Sequence, residues 1–404
     1  MRILTFNCGS SSLKYRVIEM PTERELCAGE AQRIASRTAE PSRLVHRLGG
    51  KVETIQTPMA DHADAFARVM ELLGREFVPD VAAHRIVHGG GEFDRCVRVD
   101  SATLKRLEAV SDFAPIHNPP AIRLMRACSE RHPDLPQVAV FDTAFHATIP
   151  PRAATYALPR DLCTALGIRK YGFHGISHHY VAGEAARTLG KPLERLNAVS
   201  CHLGSGGASL CAIVAGRSVD NTMGFSPLQG LVMSTRCGDL DPALPLRLVA
   251  HRSARPAEIE RELNERSGVL GLSRISSDLR DVLRGAQEPG DRALDLRQAA
   301  SVYLWRLRKY LGAYLAVVHP ADAVIFTDTL GETVPEVRHA ACIGMEAFGL
   351  KLDVSRNLSA RNLPADVATD DSLVRVLVIA TNEELAIARE AYRLFCDGVR
   401  TEQP

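Results

Sequence analysis

The sequence lacks an excess of either charge. Its 404 residues include 49 lysines and arginines and 48 aspartates and glutamates, which give a formal net charge of +1. Because the two signs are mixed along the chain, neither nucleic acid nor a membrane surface is favoured as a partner. Small molecules are therefore the expected ligands.

Long apolar runs and paired cysteines are also missing. The longest strongly apolar stretch, near residues 311–318, is far too short to cross a bilayer, and no apolar signal segment follows Met1. The ten cysteines are scattered singly without any Cys-x-x-Cys pair, which excludes a zinc ribbon and a disulfide framework. We therefore expect a cytoplasmic protein with free thiols and no membrane segment.

What the sequence does have is an alternation of short apolar strands and amphipathic helices, which is typical of α/β proteins. Strands are expected within residues 2–19, 25–34, 42–48, 52–58, 81–93 and 137–150. A helix is expected to begin after Asp61, whose carboxylate can cap its free N–H groups, and to end at Gly74.

The second part of the chain repeats the layout of the first. Residues 197–220 again predict a strand, a Gly/Ser loop and a strand, with a tight turn at Ala215 and Gly216. We interpret the repeat as an internal duplication, and two unrelated hairpins are the alternative. The chain length favours two domains, and the Pro150-Pro151 pair places their boundary near residue 150.

Three later helices have predictable beginnings. Ser177 is expected to cap a helix that ends at Gly190, and capping boxes are expected at residues 333–336 and 381–384. The last two helices follow apolar strands, so their unpaired N–H groups lie where anions are attracted.

Two Gly- and Ser-rich stretches suit a phosphate chain. The first, NCGSSSLK at residues 7–14, offers backbone N–H groups, hydroxyls and the charge of Lys14, but it lacks the spacing of a Walker A loop and continues as a strand. The second, HLGSGG, begins at His202. Such turns are also common for purely conformational reasons. Two of them together, one in each half, are what a nucleotide's phosphates would need.

Four single residues are further candidates. Arg85 and Arg236 are each flanked by small residues that leave a guanidinium accessible, although a lone arginine is usually solvated or ion-paired. Asp142 follows an apolar run, where a carboxylate can bind a metal, orient a nucleophile or form a turn. His174 is spaced from His178 like a metal pair, but no glutamate stands in the H-E-x-x-H position, so zinc is not expected.

From Asn7 to Glu390 the sequence resembles the acetate kinase family. The resemblance rests on the following stretches, in this order: NCGSSSLK, HRIVHGG, APIHNP, VFDTAFH, YGFHGISH, CHLGSG, MGFSPLQGLVMSTRCGDLDPA, SSDLRD, GETVPEVR and TNEELAIAR. It implies an α/β, duplicated ribonuclease-H-like two-domain fold of the actin and sugar-kinase type with a central cleft. Residues 1–150 and about 383–404 are expected to form the first domain, on the acyl-phosphate and metal side. Residues 151–382 are expected to form the second domain, which binds nucleotide and dimerises.

The same resemblance implies residues for the acyl-phosphate chemistry. The family's catalytic group is matched by Asp142, Arg85, Arg236 and His174. The ligands of Mg²⁺, with Mn²⁺ as an alternative, are matched by Asn7 and Glu383. The substrate acid is expected to contact Arg85, Val87, Ile116, His117, Phe173 and Pro227. We expect Asp142 to position metal or substrate, because a carboxylic acid substrate is already ionised at pH 7 and needs no base.

Nucleotide contacts are implied as well, with ATP or ADP as the co-substrate. The matching positions are Ser10, Ser12, Lys14, His202, Leu203, Gly204, Ser205, Gly206, Asp278, Leu279, Arg280, Thr329, Leu330, Gly331, Glu332 and Thr333. Residues 328–333 depart from the family's Ala-Gly-Ile-Gly-Glu-Asn. Asp328 adds a negative charge, and Thr329 replaces a glycine, which disfavours a positive φ there. Ser205 replaces an asparagine.

The resemblance thus implies Mg²⁺-dependent, reversible phosphoryl transfer between ATP and acetate, with acetyl phosphate and ADP as products. The partners are these small molecules, and the family's members are commonly homodimers. Three alternatives stay open. Pyrophosphate, phosphate or another nucleotide replaces ATP; propionate is the preferred acid, because a pocket discriminates one methylene weakly; or the protein is a nucleotide sensor without transferase activity.

Overall fold

The computed structural model describes residues 1–9, 11–35, 40–74 and 77–400, apart from the side chains of residues 397–400. The strands are β1 (Arg2–Cys8), β2 (Ser12–Glu19), β3 (Arg24–Gln32), β4 (Arg43–Leu48), β5 (Lys51–Gln56), β6 (Val81–Ile86), β7 (Val97–Arg98), β8 (Gln137–Phe141), β9 (Ala198–Leu203), β10 (Ala208–Val214), β11 (Arg217–Asn221), β12 (Ala323–Thr327), β13 (Ala365–Asp366) and β14 (Arg375–Val378).

The α-helices are α1 (His62–Leu73), α2 (Ser101–Ala109), α3 (Asn118–Arg131), α4 (Pro151–Ala154), α5 (Arg160–Ala165), α6 (Gly175–Thr188), α7 (Ala243–Arg252), α8 (Pro256–Glu265), α9 (Gly268–Ser273), α10 (Leu279–Gly285), α11 (Arg292–Val318), α12 (Asp328–Thr333), α13 (Pro335–Cys342), α14 (Val354–Ser359) and α15 (Glu383–Arg400). Short 3₁₀ turns lie at Ser111–Phe113, Ala144–Thr148, Leu193–Arg195 and Glu346–Phe348. The chain divides into two compact units. Unit 1 is Met1–Phe145 with the stretch that begins at Asn382, and unit 2 is His146–Thr381. The domain boundaries expected near residues 150 and 383 stay a prediction.

Unit 1 contains a mixed sheet of order β5-β4-β3-β2-β1-β6-β8-β7. The predicted opening hairpin is confirmed, because β1 and β2 pair antiparallel with Asn7 opposite Lys14. Strands β1, β6 and β8 run parallel. Helix α15 packs on β1, β6 and their neighbours, which brings the end of the described chain onto this sheet.

Unit 2 contains a second mixed sheet of order β11-β10-β9-β12-β14-β13. Its strands β11-β10-β9-β12-β14 repeat the order β3-β2-β1-β6-β8 of unit 1, and both series have three antiparallel strands followed by two parallel ones. The expected turn is present at Ala215 and Gly216, which have φ values of 50° and 72°. The matching orders confirm the predicted duplication.

Helix α1 follows the rules from which it was predicted. The Asp61 carboxylate accepts hydrogen bonds from the N–H groups of Ala63 and Asp64 at 2.8 and 2.9 Å. Gly74 ends the helix with φ 57°. Phe66 and its apolar neighbours at helical spacing are buried, and the ring of Phe66 lies 5.7 Å from that of Phe6 on β1. The helix therefore covers the sheet of unit 1 with its apolar face.

Three predicted helix starts are wrong. Helix α6 begins at Gly175 after His174, so Ser177 lies inside its first turn and does not cap it. Helix α13 begins at Pro335, and Thr333 instead ends α12, where its hydroxyl donates to the Thr329 carbonyl. Each prediction failed because a hydroxyl near a helix start also has other acceptors within reach, and those contacts are decided by the fold.

At the start of α15, Asn382 rather than Thr381 receives the capping bond, from the Leu385 N–H at 3.1 Å.

The ten cysteines are free, as predicted, and six of them are buried. Within the described ranges, no helix combines the length and the apolar character that crossing a bilayer requires.

Candidate active site

In unit 1, three polar side chains meet where the parallel strands β1, β6 and β8 end. Asn7 lies near the end of β1, Arg85 near the end of β6, and Asp142 directly after β8. Carboxyl ends of parallel strands share one edge of a sheet, which is where α/β proteins bind ligands. The Asp142 N–H donates to the Ile86 carbonyl at 2.9 Å, which holds its side chain beside β6.

The Arg85 guanidinium is the centre of this cluster. Its Nε lies 3.2 and 3.1 Å from the two Asp142 oxygens, and its Nη2 also donates to that carboxylate. Its Nη1 donates to Asn7 Oδ1 at 2.9 Å, and its Nε lies 3.9 Å from Glu383 Oε2. Burial alone would lower the pKa of Arg85, but the two carboxylates outweigh it and raise the pKa. The structure therefore brings two of the predicted catalytic residues, Arg85 and Asp142, together with the two predicted metal ligands, Asn7 and Glu383.

The predicted phosphate-binding hairpin lies beside this cluster. Lys14 is exposed and stands opposite Asn7, so the two side chains share a face of the sheet. The Gly9 N–H donates to the Ser12 carbonyl at 2.9 Å, and a Cβ at Gly9 would lie 2.7 Å from Ser12 Oγ. A side chain at this position would therefore have to displace the Ser12 hydroxyl. Ser10 lies outside the described residues.

In unit 2, His174 is the last residue before α6, with φ 59°. Histidine adopts this left-handed conformation only uncommonly, and it recurs at functional sites. Its Nδ1 forms a 2.9 Å hydrogen bond with Ser209 Oγ on β10, and its ring stacks on His202 of β9 at 4.2 Å. His202 Nδ1 in turn forms a 2.9 Å hydrogen bond with Ser177 Oγ. Ser177 is the residue that the sequence predicted to cap α6.

Arg236 has its guanidinium in the same region of unit 2. Its Nη1 donates to the Pro227 carbonyl at 3.2 Å and lies 3.7 Å from Met233 Sδ. Burial lowers the pKa of Arg236, and no carboxylate of the described chain lies within ion-pairing distance of it. A Cβ built on Gly207 would lie 3.3 Å from His174 Nε2 and 3.4 Å from Arg236 Nη1. His174 Nε2 and Arg236 Nη1 therefore face the same point beside the Gly207 backbone.

The second Gly/Ser loop joins β9 to β10. It follows Leu203, the buried last residue of β9, and contains Gly204, Ser205 and Gly206. The Gly204 N–H donates to the Gly207 carbonyl at 3.0 Å, so the chain reverses tightly. A Cβ at Gly204 would lie 2.8 Å from the Gly207 carbonyl oxygen and 2.5 Å from Asp328 Oδ2, so the backbone of the turn favours glycine here.

The divergent segment at residues 328–333 is a short helix, α12, where the sequence predicted a loop. The positive φ, 62°, falls on Asp328, whereas Thr329 is helical, so the strain expected at Thr329 does not arise. Aspartate tolerates this conformation better than a β-branched residue does. The Asp328 carboxylate is 3.0 Å from His202 Nε2 and also accepts from the Thr329 N–H and hydroxyl. Although burial raises the pKa of Asp328, these partners lower it well below its usual range.

The other residues of α12 are tied inward. Leu330 and Gly331 are buried, and the Glu332 carboxylate accepts from the N–H groups of Asp328 and Thr381 at 2.7 and 3.0 Å. The buried Arg338 donates to the carbonyls of Gly331 and Glu332 at 2.8 and 2.9 Å. Burial lowers the pKa of Arg338 to about 10. This anchor was not predicted from the sequence.

Three residues of the SSDLRD stretch were predicted to contact nucleotide, and they lie at the start of α10. Asp278 caps the helix by accepting from the Arg280 N–H at 2.9 Å, and it also pairs with the Arg280 guanidinium, whose hydrogen bond lowers the pKa of Asp278. Leu279 is buried. A cavity of about 420 Å³ beside this helix is lined by Ser276 and Asp281 but by none of the three predicted residues.

The predicted acid-binding residues are divided between the units. In unit 1, Val87 is half-buried just beyond β6, Ile116 is 62% exposed, and His117 precedes α3. In unit 2, Phe173 is buried and Pro227 is half-buried. A pocket that combines them stays a prediction.

Two sheets of matching strand order, with charged side chains at the ends of their parallel strands, define a duplicated, ribonuclease-H-like fold of the actin and sugar-kinase type. The chain belongs to the acetokinase family, which it matches over residues 2–389.

Individual relatives agree with this assignment. An acetate kinase from Alkaliphilus metalliredigens is 46% identical over 403 residues, which cover 98% of this chain and all of the relative. The crystal structure of Porphyromonas gingivalis acetate kinase is 33% identical with a TM-score of 0.90, over 98% of this chain and 99% of that one. A propionate kinase from Francisella tularensis is 35% identical with a TM-score of 0.88, over 96% of this chain and 98% of that one.

Proposed function

We propose that the protein is an acetate kinase, which transfers a phosphoryl group reversibly between ATP and acetate to give acetyl phosphate and ADP. Its membership of the acetokinase family and its similarity to acetate kinases over nearly the whole chain support this proposal. ATP is the co-substrate that the family implies.

One observation carries the chemical argument. Arg236 is a half-buried cation without a carboxylate partner in the described chain, and its tip faces the same point as His174 Nε2. A buried charge that lacks a counter-ion in the protein favours an anionic ligand. Phosphoryl transfer needs such groups, because charge spreads over the equatorial oxygens in the transition state. Arg236 and His174 are therefore proposed to meet that charge.

Arg85 is proposed to bind the carboxylate or the phosphoryl group of the substrate. Its fork suits bidentate contact with either anion. Asp142 is 1% exposed and occupied by Arg85, so we propose that it positions this guanidinium and is not a base. Acetate is already ionised at neutral pH and has no proton to lose.

The residues near Arg85 fit a Mg²⁺ ion. Asn7 and Glu383 offer oxygen atoms, which Mg²⁺ prefers, and the carboxylates of Asp142 and Glu383 outnumber the one guanidinium between them. In the described chain, no three His, Cys, Asp or Glu side chains form a metal-binding group. Mg²⁺ commonly has only one or two protein ligands, because it keeps several waters and binds phosphate oxygens of the substrate. Asn7 and Glu383 would hold it, and it would neutralise charge on those oxygens. Mn²⁺ is an alternative with the same ligands.

Propionate is the second candidate acid, because one structural relative is a propionate kinase. Val87, Ile116, Phe173 and Pro227 are all apolar and suit a short acyl chain. We propose acetate as the main substrate, with propionate accepted less well, since one methylene is worth only about 1–3 kcal/mol in such a pocket.

The deciding experiment traps acetyl phosphate as its hydroxamate. The purified protein is incubated with acetate, Mg²⁺ and, in parallel, ATP, GTP or pyrophosphate, and each reaction is repeated with propionate. Product with ATP is expected. If product forms with pyrophosphate but not with ATP, pyrophosphate is the donor. If no donor gives product, the proposed kinase activity is contradicted and the nucleotide sensor is favoured.

We further propose a cytoplasmic homodimer. Ten free cysteines suit a reducing compartment. The protein's one tryptophan, Trp305 on α11, is 68% exposed, and large exposed aromatic groups are typical of contact surfaces. Light scattering during gel filtration would give the oligomeric state, and a mass near 44.0 kDa would contradict the dimer.

A further inference from the structure

A buried chain of hydrogen bonds runs behind His174. Its Nδ1 bonds Ser209 Oγ at 2.9 Å, and the same hydroxyl bonds His178 Nε2 at 2.8 Å. His178 Nδ1 then bonds Ser200 Oγ at 2.8 Å. Ser209, His178 and Ser200 are fully buried, and they come from β10, α6 and β9. Three separate elements therefore contribute to one chain of hydrogen bonds, which ends at His174 Nδ1.

The number of protons in this chain is limited. Burial lowers the pKa of His178 well below its ordinary value, so its ring is neutral and carries a single N–H. The Ser209 hydroxyl has one hydrogen and lies between two histidines, so it donates to only one of them. The direction of one bond therefore sets the direction of the next.

One direction suits an anion site. If Ser200 donates to His178 Nδ1, then His178 donates from Nε2 to Ser209, and Ser209 donates to His174 Nδ1. A neutral His174 then has its N–H at Nε2, the atom that faces the same point as Arg236 Nη1. The opposite direction would turn a lone pair of His174 towards that point, where it would repel a phosphoryl oxygen.

We propose that Ser209 and His178 are positioning residues that keep the proton of neutral His174 on Nε2, so that this atom donates to the transferring phosphoryl group. The proposal deepens and rests on the proposed kinase function. Neither residue touches substrate; each acts through His174. Residues that hold a catalytic histidine in one tautomer contribute strongly to rate in other enzymes.

The test compares three serine-to-alanine variants. Ser209→Ala cuts the chain next to His174, and Ser200→Ala cuts it one residue further away. Ser218→Ala is the matched control, because Ser218 is also buried in unit 2 and bonds a histidine Nδ1, that of His146, at 2.8 Å outside this chain. Each variant is assayed for kcat and for KM with acetate, and its histidine ¹⁵N shifts are recorded, with His174 assigned from a His174→Gln variant.

Ser209→Ala is expected to lower kcat about 10- to 100-fold with little change in KM for acetate. It should also shift the ¹⁵N signals of His174 towards a mixture of tautomers. Ser200→Ala should have the same effects more weakly, and Ser218→Ala should resemble the wild type. Wild-type kcat and His174 shifts in Ser209→Ala would overturn the proposal, as would equal losses in Ser209→Ala and Ser218→Ala.

Two features keep the result decisive. If Ser209→Ala does not fold, the difference between Ser200→Ala and Ser218→Ala decides the question. If the wild-type protein makes no acetyl phosphate, the kinase function fails, but the ¹⁵N shifts of His174 still test the hydrogen-bond chain by themselves.

Discussion

Arg85 Nη1 donates a hydrogen bond to Asn7 Oδ1 at 2.9 Å, while Nε and Nη2 of the same guanidinium donate to the Asp142 carboxylate. One side chain thus links the ends of β1 and β6 to the residue after β8. Any change to Arg85 should therefore affect both the stability of unit 1 and the proposed substrate contacts.

Arg85→Ala should lower the free energy of unfolding by about 3–5 kcal/mol, because it leaves the Asp142 carboxylate buried without its counter-ion. It should also abolish measurable turnover. Urea unfolding followed by circular dichroism measures the first effect. Arg95→Ala is the control, since the Arg95–Asp94 pair of the same unit is exposed, and its loss should leave stability unchanged. Equal effects of the two variants would contradict the role given to the cluster.

Arg236→Ala should lower kcat by about 10²–10⁴-fold, because one positioned donor to the phosphoryl oxygens is lost. Stability should change little, since Arg236 forms no ion pair in the described chain whose loss would strand a carboxylate. The hydroxamate assay measures turnover, and thermal unfolding checks the fold. Arg187→Ala, at an exposed arginine of the same unit, is the control. Near-normal turnover of Arg236→Ala would refute the assigned role.

Glu383→Gln should raise the Mg²⁺ concentration that gives half-maximal activity by about tenfold or more, because a charged oxygen ligand becomes neutral. Mg²⁺ with ADP should also stabilise the variant less against heat than the wild type. Glu384→Gln removes the same charge one residue along α15, where the carboxylate lies 3.7 Å from Arg16, and should have a smaller effect. Identical Mg²⁺ curves for all three proteins would exclude Glu383 as a ligand.

Asp328→Asn should lower KM for ATP about three- to tenfold, because it removes a negative charge that lies against the Gly204 loop. Asparagine keeps an oxygen for the Thr329 N–H and tolerates the positive φ at this position. Steady-state kinetics at varied ATP concentration test this, and KM for acetate is the internal control. An unchanged or raised KM for ATP would show that the Asp328 charge does not oppose nucleotide binding.

Buried histidines should make the protein less stable as the pH falls. Burial lowers the pKa of His84 and of His146 to about 4, whereas the unfolded chain titrates near 6.5. The unfolded state therefore binds protons first, so the stabilisation is complete above about pH 6.5 and is lost as the pH falls towards 4.

His84 allows this pH effect to be tested. In the described chain its two ring nitrogens make no hydrogen bond of standard length and angle, and the Gln137 side chain offsets only part of the effect of burial on the His84 pKa. His84→Leu should therefore cost little stability at neutral pH. The loss of stability between about pH 7.5 and about pH 5.5 should be smaller by about 1 kcal/mol in this variant. Urea unfolding at both pH values gives the difference, and an unchanged loss would contradict a depressed pKa at His84.

Local sequence signals predicted much of the framework. The opening hairpin, α1 with its Asp61 cap, and the turn at Ala215 and Gly216 each depend on neighbouring residues, and each is present as expected. The duplication was predictable because strand, loop and strand recur in order even where residue identities do not. Asp142 was identifiable because it follows an apolar strand, and the ends of such strands line one edge of a sheet. Arg85 was identifiable from its small neighbours in the sequence, and Asn7 only through the resemblance to the acetate kinase family.

Contacts between distant segments were not predictable in this way. Ser177 is a residue type typical of helix caps, but its hydroxyl is hydrogen-bonded to His202. Only the packing of α6 against β9 brings these two residues together. Gly207 was overlooked because its importance comes from the side chains that converge on it. Arg338 was missed for a similar reason, since its acceptors lie on α12 and on the buried Asn357.

The exposed Trp305 on α11 gives the protein an intrinsic fluorescent probe that senses only its own surroundings. As the one tryptophan of the chain, it reports on the surface of unit 2. Its emission should already be that of a solvated indole in an isolated chain and should change little on unfolding. A shift to shorter wavelength with rising protein concentration would instead register a second chain covering α11.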